Sequence, residues 1–195
     1  MKSNAFSEKD KIELRTKMCA ICEESWRKNG YMKTSITYLT SQTKISTGAF
    51  YLLYDTKEDV FVDTLIRIRT RLEEQIQRIL IDNPNKRGLI ESMKWIYREY
   101  EKSQFLYDFS NPDFRSFYQK LSEEKLKDLK DSSIEYTNFI ITQAQLKAKG
   151  DVNVAYMALN TLLYSVSMPA EVQSEKMAAF DTLVEIAVDT LFEEI

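Results

Sequence analysis

The chain has 195 residues, 44% of them hydrophobic and 29% charged, with a formal net charge of −3 and no histidine, a composition that suits one or two globular domains with a proper core. Without histidine the commonest general base and the commonest metal ligand are missing, so His-based triads and His-containing metal centres are excluded. No spacing of Asp, Glu or Lys points to carboxylate or lysine catalysis either, so no catalytic residue, metal or cofactor is expected. The four Gly and three Pro lie near the ends of long periodic segments, which predicts an all-α chain of about nine helices. Residues 1–54 carry nine Lys/Arg against five Asp/Glu and the remainder 18 against 25, a basic head on an acidic body that fits phosphate binding at one end.

The first residues contain no apolar stretch able to serve as a signal peptide, which predicts a cytoplasmic protein. Ser7 with Asp10 reads as a capping box, and a first helix follows from Glu8 to Asn29 with Ile12, Met18, Cys19, Ile21, Cys22 and Trp26 on one broad face, ended by Gly30. Residues 34–57 then read as two short helices joined by a tight turn. Thr34 and Ser35 are candidate caps for the first of them, and Ile36, Leu39 and Thr40 follow at helical spacing. Residues 43–46 break the pattern, Ile45 offers one apolar side chain to the turn, and Ser46 caps a second helix in which Phe50 and Tyr54 face inward. This is a helix-turn-helix whose outward face carries Thr47, Gly48, Ala49, Tyr51 and Leu52.

A long helix is expected over Lys57 to Ile81, linking head to body, and another over Leu89 to Ser103 after the break at Pro84 and Gly88. A short helix over Phe105 to Phe109 precedes one opened by Asn111 and Pro112 as N-cap and N1. Ser122 to Lys149 reads as a single helix stopped by Gly150, and Val152 to Met168 and Glu175 to Ile195 finish the chain. Residues 152–170 carry no charge, but Asn153, Asn160, Thr161, Ser165, Ser167 and Pro169 make them too polar for a membrane span. In the last helix Phe180, Val184, Ala187, Leu191 and Ile195 recur at three-to-four spacing, with Leu183, Ile186, Val188 and Phe192 on a second apolar face. One face suits the body. The other suits a second copy, so the last two helices are expected to make a homodimer through a four-helix bundle, approached closely at Ala155, Ala158 and Ala187.

Cys19 and Cys22 form a CxxC that can share one helix face, but no second CxxC accompanies it, and buried, reduced packing is expected. Arg27, Lys28, Lys33, Lys44 and Lys57 are candidate phosphate neutralisers, and Thr47 and Tyr51 candidate hydrogen-bond donors to phosphate or base edges. Aromatic and thioether side chains are dense in the body. For most of them ordinary core packing is the expected role.

Gly30, Tyr31, Thr34, Ser35, Ile36, Leu39, Ser46, Gly48, Tyr51, Tyr54, Thr56, Lys57, Glu58 and Phe61 together resemble the tetracycline-repressor (TetR-like) family of bacterial transcription regulators, at many fixed offsets within the first 61 residues. Three positions depart from that pattern. Lys44 stands where the family has Gly, so a left-handed backbone there costs on the order of 1 kcal/mol; Thr40 replaces a small Ala at the helix crossing; Leu52 and Leu53 replace polar or basic side chains. The resemblance implies a DNA-binding head over residues 1–56, an effector-binding and dimerisation body over 57–195, and backbone contacts from Thr34, Tyr51 and Lys57. It places base reading at Thr47, Gly48 and Ala49, and the DNA-facing set is completed by Ser35, Lys44, Ser46 and Leu52. In the body it implies an effector cavity, for whose lining Met93, Trp95, Tyr97, Tyr100, Phe105, Phe109, Phe117, Tyr118, Tyr136, Phe139 and Tyr164 are the candidates and which would suit a flat or amphiphilic molecule. The expected function is that of a homodimeric repressor released from a double-stranded DNA operator by a small-molecule effector. A helical adaptor with a weakened helix-turn-helix and an enzyme without His chemistry are the competing readings.

Overall fold

The computed structural model describes residues 6–103, 111–168 and 173–195, with residues 130–135, 137, 173 and 174 described by backbone alone. Ser7 opens α1 (Glu8–Lys33) with the expected capping box, its hydroxyl accepting from the Asp10 amide. Gly30 interrupts the helix at φ 83° and ψ 172°, a conformation that favours glycine, so residues 31–33 form a separate last turn. Thr34 does not cap the next helix. Its hydroxyl is fully buried between the Gly30 carbonyl and the Ser25 hydroxyl, each at 2.8 Å, and holds the end of α1 instead. Ser35 is the cap of α2 (Ile36–Thr43), accepting from the Tyr38 amide, and Ser46 caps α3 (Thr47–Phe50) by accepting from the Ala49 amide.

Thr56 and Asp59 form a second capping box that starts α4 (Lys57–Asp82), which at 26 residues is roughly 39 Å long. This helix runs through two separate cores. The first joins Trp26, Tyr31, Leu39, Phe50, Tyr54, Val60, Phe61 and Ile68 with Phe114, Phe117 and Leu121. Trp26 sits at its centre, 4.6 Å from the Phe61 ring and 5.1 Å from the Phe117 ring. Phe114 and Phe117 belong to α6 (Pro112–Tyr118), opened by Asn111 and Pro112 as expected. The head core therefore takes in a helix that lies far downstream in sequence.

Ile76 and Leu80 of α4 begin the second core, with α5 (Lys86–Glu101), the end of α7 (Glu123–Gln143), α8 (Val152–Tyr164) and α9 (Gln173–Leu191). Gly88 allows the tight turn from α4 to α5, since a Cβ there would collide with the Asn83 carbonyl. Tyr97 stacks on Phe180 at 3.8 Å, and Lys176, buried between α5 and α9, bridges Glu101 at 2.9 Å and donates to the Val166 carbonyl at 2.7 Å. Among the described residues there are nine α-helices, and none is long and apolar enough to cross a membrane.

Several helices end before their periodic pattern does. The helix expected to reach Lys149 stops at Gln143, the one expected to reach Met168 gives way after Tyr164 to a 3-10 turn over Ser165–Ser167, and the last helix stops at Leu191 rather than Ile195. Gln145 turns the chain with φ 52°, and Leu146–Ala148 (β1) pairs antiparallel with Phe192–Glu194 (β2). Leu146 and Phe192 are buried on one side of this ribbon. A three-residue strand with one buried side chain has too few positions to separate period 2 from period 3.6.

At Gly30 a Cβ would lie 2.6 Å from an Asp113 carboxylate oxygen, in addition to the left-handed strain. Gly30→Ala should lower unfolding stability by about 2 kcal/mol or more in urea titration. A loss within 0.5 kcal/mol, about the effect of a surface substitution, would contradict this packing.

Candidate nucleic-acid interface and body cavity

The outward surface of the head is built by anchoring its inward one. Phe50, Leu53 and Tyr54 are buried, and the Tyr54 hydroxyl donates to Asp63 at 2.6 Å. Arg15 clamps the chain after α3 by donating twice to the Leu53 carbonyl, at 2.6 and 3.1 Å, and lies 5.1 Å from the centre of the Tyr54 ring. Lys17 donates to the Thr43 carbonyl at the end of α2. Thr40 is accommodated at the helix crossing because its buried hydroxyl returns to the Ile36 carbonyl at 2.9 Å. Thr47, Gly48, Tyr51 and Leu52 remain exposed, with Ala49 half-buried between them, and Tyr51 and Leu52 are 54% and 56% exposed. The Tyr51 ring is held edge-on against buried Phe50 at 5.2 Å.

Lys44 has the left-handed backbone expected of a glycine position, with φ 65° and ψ 43°, and its side chain is exposed. Lys33 is also exposed, and among the described residues neither lysine makes an ion pair. Lys28 is paired with Glu24, and Arg27 with Glu23. Lys57 departs from its expected role. Its ammonium donates to the Tyr31 carbonyl at 2.6 Å and lies 3.8 Å from the centre of the Tyr31 ring, and burial lowers its pKa. Thr34, being buried, likewise presents no hydroxyl outward. Ser35 and Ser46 are exposed but spend their oxygens on helix caps.

Gly48 has a different standing from Gly30 and Gly88. Its φ lies outside the left-handed range, and a Cβ would meet only the Ser46 hydroxyl at an ordinary 3.8 Å. Nothing inside the head requires a glycine in this helix, where it costs about 1 kcal/mol relative to alanine. Room for something outside is the remaining reason. Cys19 and Cys22 are free and buried, Cys19 facing the Tyr54 hydroxyl at 3.4 Å, and burial pushes the Cys22 thiol up to about 12.

In the body a cavity of about 170 Å³ lies among α4, α5, α7 and α8. Met93, Tyr100 and Tyr136 line it as expected, with Arg69, Leu72, Ile76, Ile96, Ile140, Tyr156, Leu159, Asn160 and Leu163. Arg69 pairs with Glu73 at 2.7 Å and lies 5.5 Å from the centre of the Tyr136 ring, while the Tyr136 hydroxyl is buried without a hydrogen-bond partner among the described residues. The other candidates lie elsewhere. Tyr97 is spent on Phe180, Phe117 packs in the head core, and Trp95, Tyr118, Phe139 and Tyr164 do not reach the cavity. Phe105 and Phe109 lie outside the described residues. Aliphatic side chains supply much of the wall, and aromatic density in sequence does not signal them.

No protein-family profile and no curated protein matches the sequence. The three-dimensional arrangement nevertheless has clear counterparts among solved transcriptional regulators and repressors, TetR regulators among them. The regulator FadR from Bacillus subtilis, solved with stearoyl-CoA, superposes with TM-score 0.69 at 16% identity, covering 90% of this chain and 98% of that one. A TetR transcription regulator from Haloarcula marismortui gives 0.65 at 15%, covering 93% and 100%. SmeT, repressor of a Stenotrophomonas maltophilia multidrug efflux pump, gives 0.63 at 14%, covering 92% and 90%. The chain therefore has the all-α TetR fold.

The head surface yields paired expectations. Gly48→Ala should leave the melting temperature unchanged or raise it, while weakening DNA binding by about tenfold or more in fluorescence anisotropy. Equal affinity with unchanged stability would remove the close-approach argument. Lys44→Gly should relieve about 1 kcal/mol of left-handed strain and reduce the salt slope of binding by about one unit per head. Lys57→Ala should instead destabilise the head and leave that slope unchanged; a drop in slope would mean that Lys57 leaves Tyr31 to reach a phosphate.

Proposed function

We propose that this chain is a DNA-binding transcriptional regulator, a cytoplasmic homodimeric repressor that leaves its operator when the body cavity takes up a small effector. The observation that carries the reading is the exposed α3 face, where Gly48 has no internal reason, with exposed Lys44 in the turn just before it and exposed Lys33 at the end of α1. Functionally, residues 1–56 form the DNA-reading unit and 57–195 the effector and dimerisation unit. Similar structures, a regulator solved with stearoyl-CoA and an efflux-pump repressor solved with triclosan, support an effector with a large apolar part. The cavity suits such a molecule, with Tyr136 available to donate one hydrogen bond. An enzyme finds no support in these residues.

The mechanism is a shift of population. A duplex accepts two heads only when they lie one major-groove repeat apart, and an effector favouring another body arrangement weakens operator binding by its differential affinity. The dimer would form through α8 and α9, on a face that differs from part of the periodic set. Phe180, Val184, Val188 and Phe192 are buried within the subunit, as is Ala155, and Leu191 packs on the body core. Leu183 and Ile186 of α9, with Val154 and Met157 of α8, are exposed apolar side chains that a partner could cover.

Ile186→Glu should give monomers in sedimentation velocity and lose operator binding, whereas Leu191→Glu should act chiefly through lower stability. Binding of the wild-type chain to selected genomic fragments should fall steeply with salt. A salt-insensitive interaction, or full operator affinity of a monomeric Ile186→Glu variant, would turn the reading toward a helical adaptor.

A further inference from the structure

Residues 46–53, the whole of α3 with its cap and the turn that follows, contain no Lys, Arg, Asn, Gln, Asp or Glu. Guanine and adenine are read in the major groove chiefly by bidentate Arg or Lys and Asn or Gln, and cytosine by a carboxylate. None of these can come from this segment. Apart from the exposed hydroxyls of Thr47 and Tyr51, what it offers is apolar, because Ser46 spends its hydroxyl on the Ala49 amide at 3.1 Å while Phe50 and Leu53 are buried. Leu52 and Tyr51, more than half exposed, leave apolar surface in water, and the Ala49 methyl is half-buried on the same short segment. Phe50 holds the Tyr51 ring in a fixed direction, and Gly48 lets the backbone of α3 come close to whatever it covers.

We propose that the head selects its DNA site through thymine C5-methyl groups, packed against Leu52, Tyr51 and Ala49. This rests on the DNA-binding reading above and gives it a sequence preference. Thymine is the base that presents a methyl group in the major groove, so apolar side chains select it by burial rather than by hydrogen bonds. The occupant is DNA rather than an apolar protein segment because Lys44, exposed in the turn that leads into α3, matches a polyanion. The read positions beneath each head are therefore A·T pairs with thymine methyls facing α3, and the salt-dependent affinity comes from lysines off the reading face.

The test uses the full chain and a duplex chosen from the bound genomic fragments. Thymines in the protected half-sites are replaced one at a time by deoxyuridine, which deletes the methyl and keeps base pairing and charge. Wild-type affinity should fall about fourfold for each read methyl removed. Leu52→Ala should bind the thymine duplex more weakly yet lose much less on deoxyuridine replacement, with an unchanged melting temperature and an unchanged sedimentation coefficient in the absence of DNA. Equal wild-type affinity for thymine and deoxyuridine duplexes, or protection centred on G·C pairs read at guanine N7, would overturn the methyl readout while leaving DNA binding intact. Absence of binding to any duplex would overturn both readings, and a change in oligomeric state of Leu52→Ala would reassign the patch to a protein contact.

Discussion

The position of the head depends on one buried carboxylate. Asp113, on α6, accepts from the Tyr31 and Met32 amides just after the left-handed Gly30 breaks α1. These amides open a new turn and would otherwise be buried without partners, a cost of about 1–3 kcal/mol for each. A side chain at residue 30 would fill the space of that carboxylate. The aromatic group of Trp26, Phe61, Phe114 and Phe117 packs beside it and joins α1, α4 and α6 through ring contacts of 4.6–6.0 Å. Head and body are thus fastened to each other by a hydrogen-bonded acid within an apolar cluster.

This fastening gives the proposed regulation a physical route. The same α4 supplies Phe61 and Ile68 to the head core and Ile76 and Leu80 to the body core, and Arg69 and Leu72 of that helix reach the cavity wall. Lys125 of α7 pairs with Asp59 in the opening turn of α4, and Tyr31 donates to Glu58 beside it. A molecule that displaces α4 or α7 around the cavity must strain contacts that orient α1 and the reading surface. Packed interiors respond to such strain by changing between arrangements rather than by deforming smoothly.

Much of the head was legible in the sequence because its signals are local. The capping box at Ser7, the Ser46 cap, the inward Phe50 and Tyr54 pair, the Asn111–Pro112 start and the left-handed Lys44 all depend on offsets of a few residues, although the Thr56 capping box was not read there. Interactions between distant segments were not legible. Thr34 looked like a cap until Ser25 and Gly30 claimed its hydroxyl, Lys57 looked free until Tyr31 took its ammonium, and nothing near residue 113 announces a partner at residue 31. The cavity was half legible for the same reason. Tyr100 and Tyr136 were visible as aromatics, but Leu72, Ile140 and Leu159 become wall residues only when α4, α7 and α8 meet. In α9 a period of three to four marked an amphipathic helix, yet two apolar faces gave no way to tell which one the body would bury.

The central claim is that two such heads on one body grip one duplex. Hydroxyl-radical footprinting of the full chain on a selected genomic fragment tests it most directly. The account predicts two symmetric protected patches on a palindromic sequence, centred about one helical repeat or a multiple of it apart. A single patch on an asymmetric sequence, or uniform weak protection along the fragment, would contradict it.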